Sequence, residues 1–111
     1  MTTNKSPSTF KVNINHTVAV ADSSAANSSA FNSETREVRI VCTVDAYVEF
    51  GASPTATSSS LIIPAYTPEY FRVAPATKVA FLRVGAVTGT ARVTELTPVS
   101  YTHLTLPTIY S

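Results

Sequence analysis

Few side chains in this sequence could do chemistry, and their spacing decides of what kind. A nucleophilic triad needs a serine, threonine or cysteine beside a base that a third group orients. The body of the chain offers one histidine, His16, in the apolar phase of an alternating stretch. A histidine satisfied by its neighbours, or ending a strand, is expected there ahead of a general base. Cys42 is the only cysteine, which excludes an intramolecular disulfide. It shares its phase with Ile40 and Val44, and no neighbouring basic side chain obviously lowers its pKa, so a small buried hydrophobe is expected. Neither C-x-x-C nor H-x-x-x-H occurs. Asp45 and Glu49 are too sparse a pair for a metal site and read as surface acids that keep a sheet soluble. There is no G-x-S-x-G elbow and no glycine-rich phosphate loop. The expectation is a non-enzymatic chain that uses no cofactor.

The aromatic side chains remain. Tyr66, Tyr70 and Phe71 lie close in sequence, with Tyr47 upstream. Exposed tyrosines on rigid strands anchor proteins or sugars; alternatively they close the end of a sandwich, ring inward and hydroxyl outward. Tyr47, Tyr66, Tyr70 and Arg72 form the candidate interaction surface. Val41 and Tyr47 also make the second face of their stretch less polar than usual, as a subunit contact would.

Composition sets the frame for these residues. A chain of 111 residues fits one domain able to bury a core unaided, and 44 % apolar with 14 % charged residues is a globular balance. The net charge of +1 comes from singly scattered residues. The clustered Lys and Arg that displace counterions are missing, so no nucleic-acid partner is expected. No apolar run approaches a bilayer span and Met1 to Pro7 is polar, so neither a membrane partner nor a secretory leader is expected. Sequon matches at Asn4, Asn15 and Asn27 are chance occurrences of the kind a Ser/Thr-rich chain produces.

The elements that would position the tyrosines are strands. Phe10, Val12, Ile14, His16, Val18 and Val20 alternate with polar residues, the period of a half-buried strand. Asp22 to Ser33 is rich in Ser, Ala and Asn and reads as a loop or flexible arm, with too few apolar side chains to be held by packing. From Val38 to Phe50 the even-numbered positions are apolar, a run long enough to be two strands or one bent near Thr43–Asp45. Gly51 ends it, and Ala52 to Ser60 is a polar loop. Short strands follow at Leu61–Ile63 and Glu69–Val73, the second with Phe71 and Val73 inward and Tyr70 and Arg72 outward. Lys78 to Val84 is apolar on both faces, as a central strand is, and Thr90 to Leu96 is the last strand of the body. No useful length has helical spacing. The expected fold is all-β, a small antiparallel β-sandwich or jelly-roll-like barrel of about six to eight strands.

The end of the chain reads differently. Val99 to Thr108, VSYTHLTLPT, resembles the translation of a transposase-type sequencing adapter, and back-translation yields the adapter's codons in order. Residues 98–111 are therefore set apart as a non-native tail, with Tyr101, His103 and Tyr110 withdrawn as candidates. Residues 1–8 are expected to be a disordered segment and 9–97 a single β-sandwich domain.

Glu37 to Leu96 resembles small proteins encoded among the head and tail genes of tailed bacteriophages. The resemblance is carried by Tyr-Val-Glu-Phe-Gly ending at Gly51, the Ser-Pro-Thr-Ala loop at 53–56, Pro64-x-x-Thr-Pro-Glu-Tyr-Phe71 and Val73-Ala-Pro-x-x-Lys-Val79. It brings no catalytic residues. It implies a virion-located structural module, a capsid decoration, head-fibre or tail-associated subunit, whose partners are other virion proteins and further copies of itself. The environmental origin that the tail implies agrees with it. Two other readings stand beside it: a carbohydrate- or host-surface-binding sandwich using the tyrosines, and a bacterial surface or adhesin domain.

Overall fold

Alternating β-branched residues can bury one side of a strand only if a second sheet covers that side, and the chain provides two. The structure, a computed structural model, describes residues 10–99. The expected N-terminal segment and nearly all of the tail, with Tyr101, His103 and Tyr110, lie outside the described residues. Eight strands run in order: β1 (Phe10–Val20), β2 (Ala25–Ala26), β3 (Glu37–Cys42), β4 (Ala46–Gly51), β5 (Leu61–Ile63), β6 (Glu69–Arg72), β7 (Lys78–Arg83) and β8 (Gly89–Pro98). No helix occurs among the described residues.

The strands form two four-stranded antiparallel sheets, β1-β8-β3-β6 and β2-β7-β4-β5. Their pairing is nested: β1 with β8, β2 with β7, β3 with β6 and β4 with β5. A chain doubled back on itself in that way and wrapped into two sheets is a jelly roll. The all-β sandwich expected from the sequence is thus the fold found, and the strand order now follows from the pairing.

The long apolar run breaks at Thr43–Asp45. β3 lies in one sheet and β4 in the other, so the bend carries the chain across the sandwich. Two bonds hold it. Thr43 N–H donates to Thr90 O at 2.9 Å, and Asp45 Oδ1 accepts Ala65 N–H at 2.8 Å. Val38, Ile40, Cys42, Val18, Val20, Ala91 and Val93 from the first sheet meet Ala46, Val48, Ile63, Val79 and Phe81 from the second. Each large side chain fully buried in this way stabilises the fold by about 1.5–3 kcal/mol. Phe50 and Phe71 close one side of the interface, their ring centroids 5.1 Å apart. β7 lies between β2 and β4, a central strand as its two apolar faces require.

Two expectations need correction. The polar stretch 22–33 is not a free arm. Ala25–Ala26 pairs with β7, and buried Asn27 continues the ladder with its side chain: Oδ1 accepts Val79 N–H at 2.8 Å. Phe31 is buried in the core, its N–H bonded to Thr77 O at 2.8 Å. One aromatic plug and one amide side chain therefore hold a segment whose other residues are polar. Burial of Asn27 also removes it as a glycan acceptor. The second correction concerns β1, whose alternation is interrupted by a register shift between Val12 and Asn15. Asn13 and Ile14 together face the position of Glu95, which is a bulge. It reverses the phase of the strand, and Val12 ends 63 % exposed while Val18 and Val20 stay buried.

Candidate functional site

Opposite that bulge, β8 presents Ala91, Val93 and Glu95 inward in one phase, and Glu95 is fully buried. A buried carboxylate without partners costs several kcal/mol. Here three groups donate to it. His16 Nε2–H reaches Oε2 at 2.5 Å, while Oε1 accepts the Thr35 hydroxyl at 2.5 Å and the Asn32 N–H at 2.9 Å. His16 in turn packs edge-on to Phe31, ring centroids 6.1 Å apart. Burial by itself would raise the Glu95 pKa. The bonds from Thr35, His16 and Asn32, with the charge of His16, outweigh that and hold the carboxyl below its ordinary value.

His16, expected from the sequence to be satisfied by neighbours or to end a strand, is satisfied by Glu95, a partner the sequence did not reveal. A glutamate in the inward phase of A-R-V-T-E-L-T was the available signal. The cluster brings an imidazole, a carboxylate and a hydroxyl together, yet not in triad order: the Thr35 hydroxyl donates to the carboxylate and not to the imidazole. Thr35 and Glu95 are both fully buried. The arrangement pins Asn32 to Thr35 against β8 and β1, and Thr35 N–H closes the turn onto Asn32 O at 3.0 Å.

Cys42 is buried in the core, and burial pushes its thiol up to about 11. Asp45 braces the Ala65 turn, and Glu49 Oε1 accepts the Ser60 hydroxyl at 2.8 Å. Among the described residues no three His, Cys, Asp or Glu side chains gather as metal ligands would. A shallow open depression of about 350 Å³ lies between the Thr43–Asp45 bend, Ala65 and Gly85–Val87. It sits at the Gly89 end of β8, about 20 Å along the strand from Glu95.

The four candidate surface residues do not form one patch. Tyr70 and Arg72 point outward from β6, an edge strand of the first sheet. Tyr47 belongs to the second sheet, half-buried on its outer face between Ile62 of β5 and Leu82 of β7. Tyr66 is 71 % exposed on the β5–β6 turn, with φ at 56°. The structure puts Tyr70 and Arg72 on one face of β6 and separates both from Tyr47. Arg39 and Arg92, which the sequence reading passed over, join Tyr70 and Arg72 on the same outer face. Only the register reveals this, because the three strands involved are far apart in sequence.

Comparison with protein-family models, with curated proteins and with solved structures found no match.

Proposed function

We propose that this chain is a non-enzymatic structural subunit of a tailed-bacteriophage particle, laid against the capsid or tail as a decoration, cement or fibre-type module. The observation that carries this reading is the division of labour among polar groups. The His16–Glu95–Thr35 cluster is buried and occupied with holding a loop. The large exposed side chains stand instead on open sheet faces and edges: Tyr70 on β6, and Leu61 and Ile62 on β5. Rigid faces of that kind suit packing against a lattice. The resemblance of Glu37 to Leu96 to phage head and tail proteins supports the same reading, and its cues fall on β4, on the loop before β5, and on the turns leading into β6 and β7 with the first residues of those strands. Jelly rolls also recur in viral capsid and lectin domains.

In this role the protein acts in the virion, and association with further copies or with neighbouring virion proteins covers the sheet edges. The glycan-binding alternative has less support, because Tyr47 and Tyr70 stand on opposite outer faces and line no common groove. The test is to recover the native DNA around the gene and co-express the chain with the adjacent reading frames. Terminase, portal or capsid genes alongside, and incorporation into particles seen by electron microscopy, support the proposal. A metabolic operon removes it.

A further inference from the structure

The outer face of the first sheet holds a charge arrangement that the sequence hides. In the register, Arg72 on β6 lies opposite Glu37 and Tyr70 lies opposite Arg39 on β3. Arg39 in turn lies opposite Thr94 on β8, and Val41 lies opposite Arg92. Arg72, Arg39 and Arg92 therefore run diagonally across three adjacent strands, each two residues out of register with the next. Diagonal neighbours on one face stand about 7–8 Å apart, within reach of long side chains. Like charges so placed repel one another. Among the described residues none of the three arginines has a salt-bridge partner. Glu37 is the one acid in the outward phase of these strands. Three arginines against one glutamate give this face a surplus of two positive charges, in a chain whose formal total with neutral histidines is +1.

The neighbours of the arginines fit recognition. Tyr70 is 55 % exposed beside Arg39, and half-buried Val41 adds apolar area beside Arg92. Tyrosine and arginine are the residue types most enriched where binding energy concentrates at protein interfaces. The guanidinium fork matches carboxylates two oxygens at a time. Two arginines, Arg72 and Arg92, are exposed, and Arg39 between them is half-buried, which limits the rotamers it must give up on binding.

We propose that this face, centred on Arg39 and Tyr70 and flanked by Arg72 and Arg92, docks onto a carboxylate-rich surface of a partner protein. The proposal rests on the reading of the chain as a packing subunit and names the chemistry of what it packs against. A carboxylate-bearing protein surface is favoured over a nucleic acid because the patch is short, carries Glu37 within it, and belongs to a nearly neutral chain.

The test titrates the full chain with poly-L-glutamate at low salt while following backbone amide shifts by NMR. The shifts should concentrate on Arg39, Val41, Tyr70, Arg72 and Arg92. A variant carrying Arg39→Gln, Arg72→Gln and Arg92→Gln should keep its melting temperature and lose about tenfold in affinity, the sum of three ion pairs at the protein surface. Lys11→Gln with Lys78→Gln, which removes charge elsewhere, should stay within about threefold of the parent, as long-range screened charge predicts. Absence of binding, shifts scattered over other surfaces, or a triple variant that binds like the parent would each overturn the proposal. So would tighter binding of duplex DNA to the same face. The flanking genes test the virion reading separately: metabolic neighbours with poly-L-glutamate binding intact remove the virion and leave the docking face, and virion genes without binding do the reverse.

Discussion

His16 on the first strand and Glu95 on the last are joined by a 2.5 Å bond between Nε2 and Oε2, although 79 residues separate them. The bond lies beside the β1 bulge, and the same carboxylate also anchors Asn32 and Thr35. One acid thus ties together both ends of the jelly roll and the loop that follows β2.

Removing that acid should be costly. Glu95→Ala leaves the Asn32 N–H and the Thr35 hydroxyl without their acceptor, and places His16 beside a cavity. Broken buried pairs of this kind lose about 3–5 kcal/mol. Thr35→Val removes one donor of three and should lose less, about 1–3 kcal/mol. Urea denaturation of the two variants measures both. A Glu95→Ala midpoint equal to that of the parent would show that the cluster contributes nothing.

The same site makes the fold acid-sensitive. The Glu95 carboxyl sits below its ordinary value in the folded protein, and in the unfolded chain it returns to about 4.3. A folded pKa lower than the unfolded one means that the unfolded state binds more protons in between, so stability rises with pH across that window. The contribution is complete above the unfolded value and disappears as pH falls through the folded one. Urea midpoints taken from pH 7 down to pH 3 should therefore drop at the acid end. In Glu95→Gln that part of the drop should vanish, on a lower plateau.

Cys42 should be silent in the native state. Its thiol is buried between the sheets and pushed up to about 11, so at pH 8 it is neither accessible nor ionised. A disulfide reagent such as Ellman's should label it only at the rate of global opening, and immediately in guanidinium. Fast labelling of the folded chain would contradict the burial.

The sequence made some of this legible and hid the rest for physical reasons. The alternation from Val38 to Phe50 and the two apolar faces of Lys78 to Val84 are local signals, and β3, β4 and β7 follow them. The β1 bulge left no local trace, since the alternation from Phe10 to Val20 runs unbroken. It makes sense only against Glu95 on the partner strand. Asn27 and Phe31 hold a stretch that composition alone makes look free. The tyrosines read as one group because each stands in or beside a short strand in the middle of the chain, but the jelly roll sends β4 and β6 to different sheets.

Gly89 and Gly85 make a matched pair of substitutions. A Cβ at Gly89 would lie 2.5 Å from Thr43 Oγ1 and 2.7 Å from a Val44 methyl. Thr43 cannot withdraw freely, because its Oγ1 accepts the Thr90 N–H at 2.9 Å and its own N–H is bonded to Thr90 O. Gly89→Ala should therefore cost about 1–3 kcal/mol, as overpacking does. At Gly85 nothing lies within 4 Å of the added carbon, and Gly85→Ala should be within about 0.5 kcal/mol of the parent. Equal melting temperatures for the two variants would refute the close approach.

Ala76 offers a gain. It holds φ at 62° in the turn after Pro75, a left-handed conformation that costs a residue with a Cβ about 1–2 kcal/mol. Its N–H is bonded to Phe31 O at 3.3 Å, and the Thr77 hydroxyl closes the turn onto Ala74 O at 2.7 Å, so the surroundings hold the conformation in place. Glycine removes the Cβ penalty but adds freedom to the unfolded chain, which returns about 0.4–1 kcal/mol. Ala76→Gly should accordingly raise stability by about 0.8 kcal/mol, the difference between the midpoints of those two effects. Ala76→Val, whose branched side chain tolerates positive φ least, should lower it. Paired thermal melts decide the matter: a glycine variant less stable than the parent would mean that the turn relaxes without penalty and that the backbone at Ala76 stores no strain.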